Sequence, residues 1–259
     1  MKIVICKSVE ELGRLAATRI AEVVRAKPRP VLGLATGSTP LPTYRELIRL
    51  HREEGLSFAA TGTFNLDEYV GLAPDHAQSY RRFMQENLFD SIDIDPANTH
   101  VPDGRAADIE DHCAAYERMI AAAGGIDCQV LGIGSNGHVG FNEPGDSLCC
   151  RTHTVTLTEQ TIEDNSRLFE KKEDVPLFAC TMGVGTVMDA RKCVMVINGK
   201  HKAAIAAQAF EGPVSCMCTA SALQMHNDTV VFLDEDAAGD LQMAEHYRWI
   251  QKMKGQAPK

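Results

Sequence analysis

The chain has 259 residues, a formal net charge of -9, 44% hydrophobic and 24% charged residues, and nine cysteines. This length and composition fit a soluble globular chain with a substantial core, and the acidic balance argues against a general nucleic-acid surface. No apolar run approaches a membrane span, the run Ile3 to Cys6 is too short for a signal peptide, and C-x-x-C is absent, so the cysteines read as reduced thiols of a cytoplasmic protein.

Ile3 to Cys6 reads as a strand. Ser8 then opens a helix through Arg25, with Glu11 three residues on as a capping box. Leu12, Leu15, Ala16, Ile20 and Val23 recur at helical spacing. Val31 to Ala35 is the next buried strand. The loop Thr36-Gly37-Ser38-Thr39-Pro40 follows, and a helix runs from Leu41 to Glu53. Thr61 to Leu66 predicts a third strand, ending at Asp67-Glu68-Tyr69. Helices are expected over Ser79 to Phe89 and Asp108 to Ala123. Asp127 to Ile133 is a short apolar run that reads as a buried strand. Thr152 to Leu157 alternates polar and apolar, as a half-exposed strand does. Strands at Pro176 to Met182, Cys193 to Ile197 and Thr229 to Leu233, a helix from Lys200 to Phe210 and a closing helix complete the chain. Strands alternating with helices of this length predict an α/β fold, a doubly wound, mostly parallel sheet with helices on both faces. The composition never shifts sharply, so one domain is expected. The stretch 142–173 is the least regular and is expected to form a mobile lid.

The stretch Gly132 to Gly145, GIGSNGHVGFNEPG, holds a histidine, two asparagines and a glutamate after a buried strand. Open α/β sheets put ligand sites at the carboxyl ends of their strands. Gly132, Gly134 and Gly137 match the dinucleotide fingerprint in letters only, because no helical stripe follows to receive a pyrophosphate. His138 and Glu143 suggest an acid–base dyad in which the carboxylate orients the imidazole. The plainer alternative is a loop histidine held by a backbone carbonyl. Zinc deaminases use H-x-E with P-C-x-x-C, a spacing this chain lacks, so no metal is expected.

Thr36 to Thr39 lies between a strand and a helix, where free amides and hydroxyls form an anion site. Thr39 as a simple N-cap explains the same letters, and both readings stand. Asp67 and Glu68 are carboxylates at the end of a buried strand, placed for a base or for a solvated turn. Arg167 and Lys202 could supply charge to a phosphate, although surface exposure is the default for either.

Together TGSTP, FNLDEYVGL (Phe64 to Leu72), NGHVGFNEP (Asn136 to Pro144) and NSRLF (Asn165 to Phe169) closely resemble the glucosamine-6-phosphate deaminase family, in order and spacing along essentially the whole chain. The resemblance implies a modified doubly wound fold and a reaction without a redox or pyridoxal cofactor. It implies conversion of glucosamine 6-phosphate and water to fructose 6-phosphate and ammonia. By motif, Asp67 would move a proton between C2 and C1. His138 would open the pyranose ring, assisted by Glu143 and Asn136. Thr36, Gly37, Ser38, Thr39, Arg167 and Lys202 would hold the 6-phosphate. Some members carry aspartate where Asn136 stands, and asparagine can orient His138 without stabilising imidazolium by charge.

Activated hexameric members use basic residues just after the NEP motif to bind N-acetylglucosamine 6-phosphate. The matching positions here are His153 and Val155, which predicts weak or absent activation; homo-oligomerisation is left open. A phosphosugar lactonase or isomerase of the same fold, and a non-catalytic phosphosugar sensor, are the alternatives. The retained Asp67, His138 and Glu143 argue against the sensor.

Overall fold

Val31–Leu34, Cys128–Leu131 and Cys193–Ile197 are buried at every position. A strand buried on both faces needs cover above and below the sheet. The computed structural model, which describes residues 1–253, provides it. Its strands are β1 (Lys2–Cys6), β2 (Val31–Leu34), β3 (Gly62–Asn65), β4 (Asp67–Tyr69), β5 (Thr99–His100), β6 (Cys128–Leu131), β7 (His153–Thr156), β8 (Phe178–Thr181), β9 (Cys193–Ile197) and β10 (Thr229–Asp234). The helices are α1 (Val9–Ala26), α2 (Leu41–Glu54), α3 (Tyr80–Asn87), α4 (Ile109–Ala122), α5 (Glu159–Ser166), α6 (Val184–Met188), α7 (Ala203–Glu211) and α8 (Ala244–Met253).

Seven strands form one sheet in the order β1-β10-β9-β6-β2-β3-β5, and every pair in it is parallel. From β2 the chain winds outward through β3 and β5. From β6 it winds the other way through β9 and β10. The direction therefore reverses between β2 and β6, and an open α/β sheet leaves its ligand crevice at that point.

Alternation along each strand sends side chains to opposite faces. Val4, Leu32, Val130 and Val194 meet Leu12, Ala16 and Ile20 of α1 and Tyr44 and Leu47 of α2. Ile3, Val31, Leu131 and Met195 meet Tyr116 and Ile120 of α4 and Ala206 and Phe210 of α7. Truncating a buried Ile20 or Leu47 to alanine in such a core costs about 2–5 kcal/mol.

Local chemistry explains the element starts. Ser8 Oγ accepts the Glu11 amide at 3.2 Å, while the Glu11 carboxylate accepts from Lys7 N at 2.7 Å, so the box closes one residue earlier than the motif predicts. Asp108 caps α4 through the Asp111 amide. Thr39 does not cap α2: the N-cap is Pro40, with no side-chain bond.

The expected third strand needs correction. It ends at Asn65, and Asp67 begins β4 in a second, antiparallel sheet of order β4-β8-β7. Leu66 is the hand-over. Its amide donates to Leu34 O at 3.0 Å while its carbonyl accepts from Met182 N, across to the other sheet. The helix expected from Lys200 starts as a 3-10 turn, Lys200–Lys202, and α7 follows. The strand expected at Thr152 to Leu157 is β7, and the stretch 142–173 is more regular than expected because it also contains α5.

Candidate active site

Side by side at the carboxyl edge of the sheet lie the loops after β9, β6, β2 and β3. They carry Lys202, the 132–145 stretch, Thr36 to Thr39, and Asp67. The sequence scatters these groups over more than half the chain; the strand order collects them.

The 132–145 loop is rigid because buried polar groups tie it down. Asn142 donates its side-chain amide to Val139 O at 2.7 Å and Met182 O at 2.9 Å. Thr219 Oγ1 accepts Val139 N at 3.2 Å and donates to Asn142 O at 2.9 Å. Phe141 N donates to Thr181 Oγ1 at 3.0 Å. Two glycines are required by close approach. The His138 ring lies over Gly134, where a Cβ would come within 2.3 Å of Nε2. Gly140 has φ +59°, and a Cβ there would lie 2.8 Å from Thr181 Oγ1 and 3.5 Å from Asp67 Oδ2. Asp67 thus sits against the same loop as His138.

The predicted dyad is in fact a three-residue relay. His138 Nδ1 lies 2.7 Å from Asn136 Oδ1 and 3.4 Å from Glu143 Oε2. Asn136 Nδ2 donates to Glu143 Oε2 at 2.7 Å, and Asn136 Oδ1 also accepts the His138 amide at 3.2 Å. With its amide nitrogen on the carboxylate, Asn136 can only accept from the ring. Nδ1 therefore carries the proton in neutral His138, and Nε2 keeps the lone pair. Glu143 Oε1 accepts the hydroxyl of Thr161, and Thr158 Oγ1 lies 3.2 Å from the same oxygen. Burial acts to raise the Glu143 carboxyl. His138, Thr161 and Asn136 outweigh it and hold the group down at about 2, so Glu143 is a carboxylate throughout the neutral range.

Asp67 is in the opposite situation. It is buried, and that burial, with the neighbouring Glu68 carboxylate, pushes it up to about 8. Two acid–base units of contrasting character thus lie against one loop, a pattern typical of catalytic sites. Glu68 has other work. It accepts the amides of Tyr69, Tyr80 and Arg81 at 2.9, 3.0 and 3.1 Å, so it anchors the start of α3.

The family model described as glucosamine-6-phosphate isomerases/6-phosphogluconolactonase matches residues 7–232. The chain belongs to this family. A glucosamine-6-phosphate deaminase of Hahella chejuensis (strain KCTC 2396) is 50% identical over 251 residues, covering 97% of this chain and 96% of its own. That of Arthrobacter sp. (strain FB24) is 50% identical over 248 residues, with 96% and 95% covered. The solved structure of a monomeric glucosamine-6-phosphate deaminase has a TM-score of 0.91 at 46% identity, covering 93% of this chain and 100% of its own. A 6-phosphogluconolactonase of Trypanosoma brucei, at 21% identity and a TM-score of 0.74 over 93% of this chain and 98% of its own, shares the fold.

In this member of the glucosamine-6-phosphate isomerase/6-phosphogluconolactonase family, the residues expected to hold phosphate are less tightly gathered than the relay. Gly37 and Ser38 are exposed, and Gly37 adopts φ +96° at the turn. Lys202 is half-buried, and burial lowers its ammonium, opposed by the charge of Asp164. Arg167 caps the carboxyl end of α5, exposed, with Nε donating to Asp164 O at 3.2 Å. Asp164 also accepts from Ser135 Oγ at 2.7 Å, which docks α5 onto the 132–145 loop. Among the described residues no group of three or more His, Cys, Asp or Glu could hold a metal ion, and no helix is long and apolar enough to cross a membrane.

Sequence reasoning missed Thr158, Thr161, Thr181 and Asp164. Thr158 alone had a signal, a threonine directly before Glu159 at a helix start, as N-caps have. Thr161 and Thr181 matter only through long-range contacts.

Proposed function

We propose that this chain is a glucosamine-6-phosphate deaminase, converting glucosamine 6-phosphate and water to fructose 6-phosphate and ammonia. The observation that carries the reading is the pairing of a buried, high-pKa Asp67 with a separate His138–Asn136–Glu143 relay against one glycine-rich loop. The curated relatives' names agree with it.

The reaction needs two kinds of proton transfer. The pyranose must open first. His138 Nε2, bearing the lone pair, takes the C1 hydroxyl proton and returns a proton to the ring oxygen. Glu143 stabilises the transient imidazolium, with Asn136 fixing the ring's orientation. The open aldehyde makes the C2 hydrogen acidic. Asp67 removes it to give an enolamine and delivers the proton to C1, leaving an imine at C2. Water adds to that carbon and ammonia leaves, which closes the balance on fructose 6-phosphate. A base raised toward neutrality by burial holds a proton between the two carbons better than an ordinary carboxylate does.

In this reading Thr36, Gly37, Ser38 and Thr39 bind the phosphate through amides and hydroxyls, with Lys202 and Arg167 supplying charge. The stretch 142–173, docked by Asp164 and Thr161, covers the site.

The test is direct. Purified chain is given glucosamine 6-phosphate in D₂O, and ammonia, fructose 6-phosphate and deuterium at carbon are followed together, with galactosamine 6-phosphate as comparison. Asp67→Asn should lose turnover and carbon exchange together, by roughly 10²-fold or more. His138→Gln should spare a substrate that cannot cyclise. A wild-type chain that releases no ammonia from glucosamine 6-phosphate would refute the assignment.

A further inference from the structure

The Glu143 carboxylate is gripped from two sides by different segments. Oε2 takes Asn136 Nδ2 from within its own loop. Oε1 takes Thr161 Oγ1 from α5, a residue only 4% exposed and 18 positions further along the chain. The first turn of α5 makes this grip directional. Thr158 is the N-cap, and its Oγ1 accepts the Thr161 amide at 3.2 Å. The same turn brings the two hydroxyl oxygens to 3.0 Å. Each hydroxyl has one proton. The arrangement that satisfies both runs from Thr158 O–H to Thr161 Oγ1, and from Thr161 O–H to Glu143 Oε1.

We propose that Thr161 is a positioning residue for the His138 relay, locking the Glu143 carboxylate through Oε1 so that Oε2 stays on Asn136. This rests on the deaminase reading above. The chain of consequences is geometric. A carboxylate held at both oxygens cannot rotate. Its fixed Oε2 keeps the Asn136 nitrogen turned toward it, and the Asn136 oxygen is then turned toward His138 Nδ1. That sets which ring nitrogen carries the lone pair. Thr161 itself does not touch the ring; it acts through two neighbours. His138 is the ionisable group that faces Glu143 at 3.4 Å, and Asn136, Thr158 and Thr161 are its neutral partners. Because Thr161 belongs to α5, docking of that helix and readiness of the relay are one event.

The experiment uses the full chain, glucosamine 6-phosphate, and Thr161→Val, Thr161→Ala and Thr161→Ser. Thr161→Val keeps the shape and removes the hydroxyl. It should lower kcat roughly tenfold and leave KM within about twofold, the pattern of an interaction used in the transition state. Thr161→Ala should do the same, and it carries the test if the valine variant does not fold. Thr161→Ser, which keeps the hydroxyl, should recover most of the rate. In a Glu143→Ala background, where the acceptor is gone, Thr161→Val should cost less than about twofold more, because two residues acting as one unit are not additive. Wild-type kcat in the valine and alanine variants would overturn the proposal. So would a serine variant as impaired as valine, or full additivity with Glu143→Ala. A wild-type chain without deaminase activity defeats the functional reading itself, and Thr161 then has no reaction to serve.

Discussion

Asp67→Asn should make the chain more stable and nearly inactive at once. Burial and Glu68 push the Asp67 carboxyl from 3.8 up to about 8. An unfolded chain gives up that proton near pH 4; the folded chain keeps it until near pH 8. Between those limits the folded state binds more protons than the unfolded state, so stability falls as pH rises. Below about pH 4 both states are protonated and nothing is lost. At about 1.36 kcal/mol for each pH unit between the two states, the ceiling at pH 8 is about 5–6 kcal/mol. Asp67 keeps 6% exposure at the crevice. Water there screens the charge, and an expectation on the order of 2–3 kcal/mol is more realistic. Asparagine keeps the size and cannot ionise, so it escapes this cost. The assay is urea unfolding of both proteins at pH 4, 6 and 8. The variant's advantage should be largest at pH 8 and shrink toward pH 4. Equal stability at pH 8, or a more stable wild type there, would refute the account of Asp67 as a buried carboxylate held near neutrality.

Lys202→Ala and Arg167→Ala should each raise KM more than they lower kcat, by on the order of 2–4 kcal/mol for a charge-assisted contact to phosphate. The half-buried Lys202 should show the larger effect, and steady-state kinetics with wild-type KM in both variants would show that other groups hold the phosphate. Glu68→Gln should cost about 1–3 kcal/mol of stability, because the Tyr69 amide and two amides at the start of α3 lose a charged acceptor. Carbon exchange in D₂O should survive in that variant, and its loss to the level of Asp67→Asn would transfer the base role to Glu68. N-acetylglucosamine 6-phosphate should leave the substrate curve unchanged. The His153 ring is tied to the Arg151 carbonyl at 2.8 Å, and Val155 is buried and has no charge to offer a phosphate. A sigmoidal curve made hyperbolic by that ligand would contradict this.

By itself the sequence determined what local physics controls. Helix periods and the cap at Ser8 are decided within a few residues, and α1, α3 and α4 lie close to where the sequence puts them, with Ser79 and Asp108 serving as caps in the structure. The continuous apolar runs gave β2, β6 and β9, because a strand covered on both faces needs no alternation. The letters of the 132–145 stretch and of Phe64 to Leu72 carried the family and named Asp67, Asn136, His138 and Glu143. Tertiary structure decided everything that depends on which strand lies beside which. Leu66 reads as the last residue of the third strand, and only its two partners, Leu34 and Met182, reveal that the chain changes sheets there. Asp67 and Glu68 are adjacent and chemically alike, yet one faces the crevice and the other is consumed by the amides of α3. The order of the relay was equally hidden, since a histidine five residues from a glutamate can bond it directly or through Asn136. The Thr161 contact to Glu143 spans two segments that only packing brings together. Alternation, capping and motif spacing are short-range properties written along the chain, whereas register, burial and the choice of hydrogen-bond partner are set by the whole molecule.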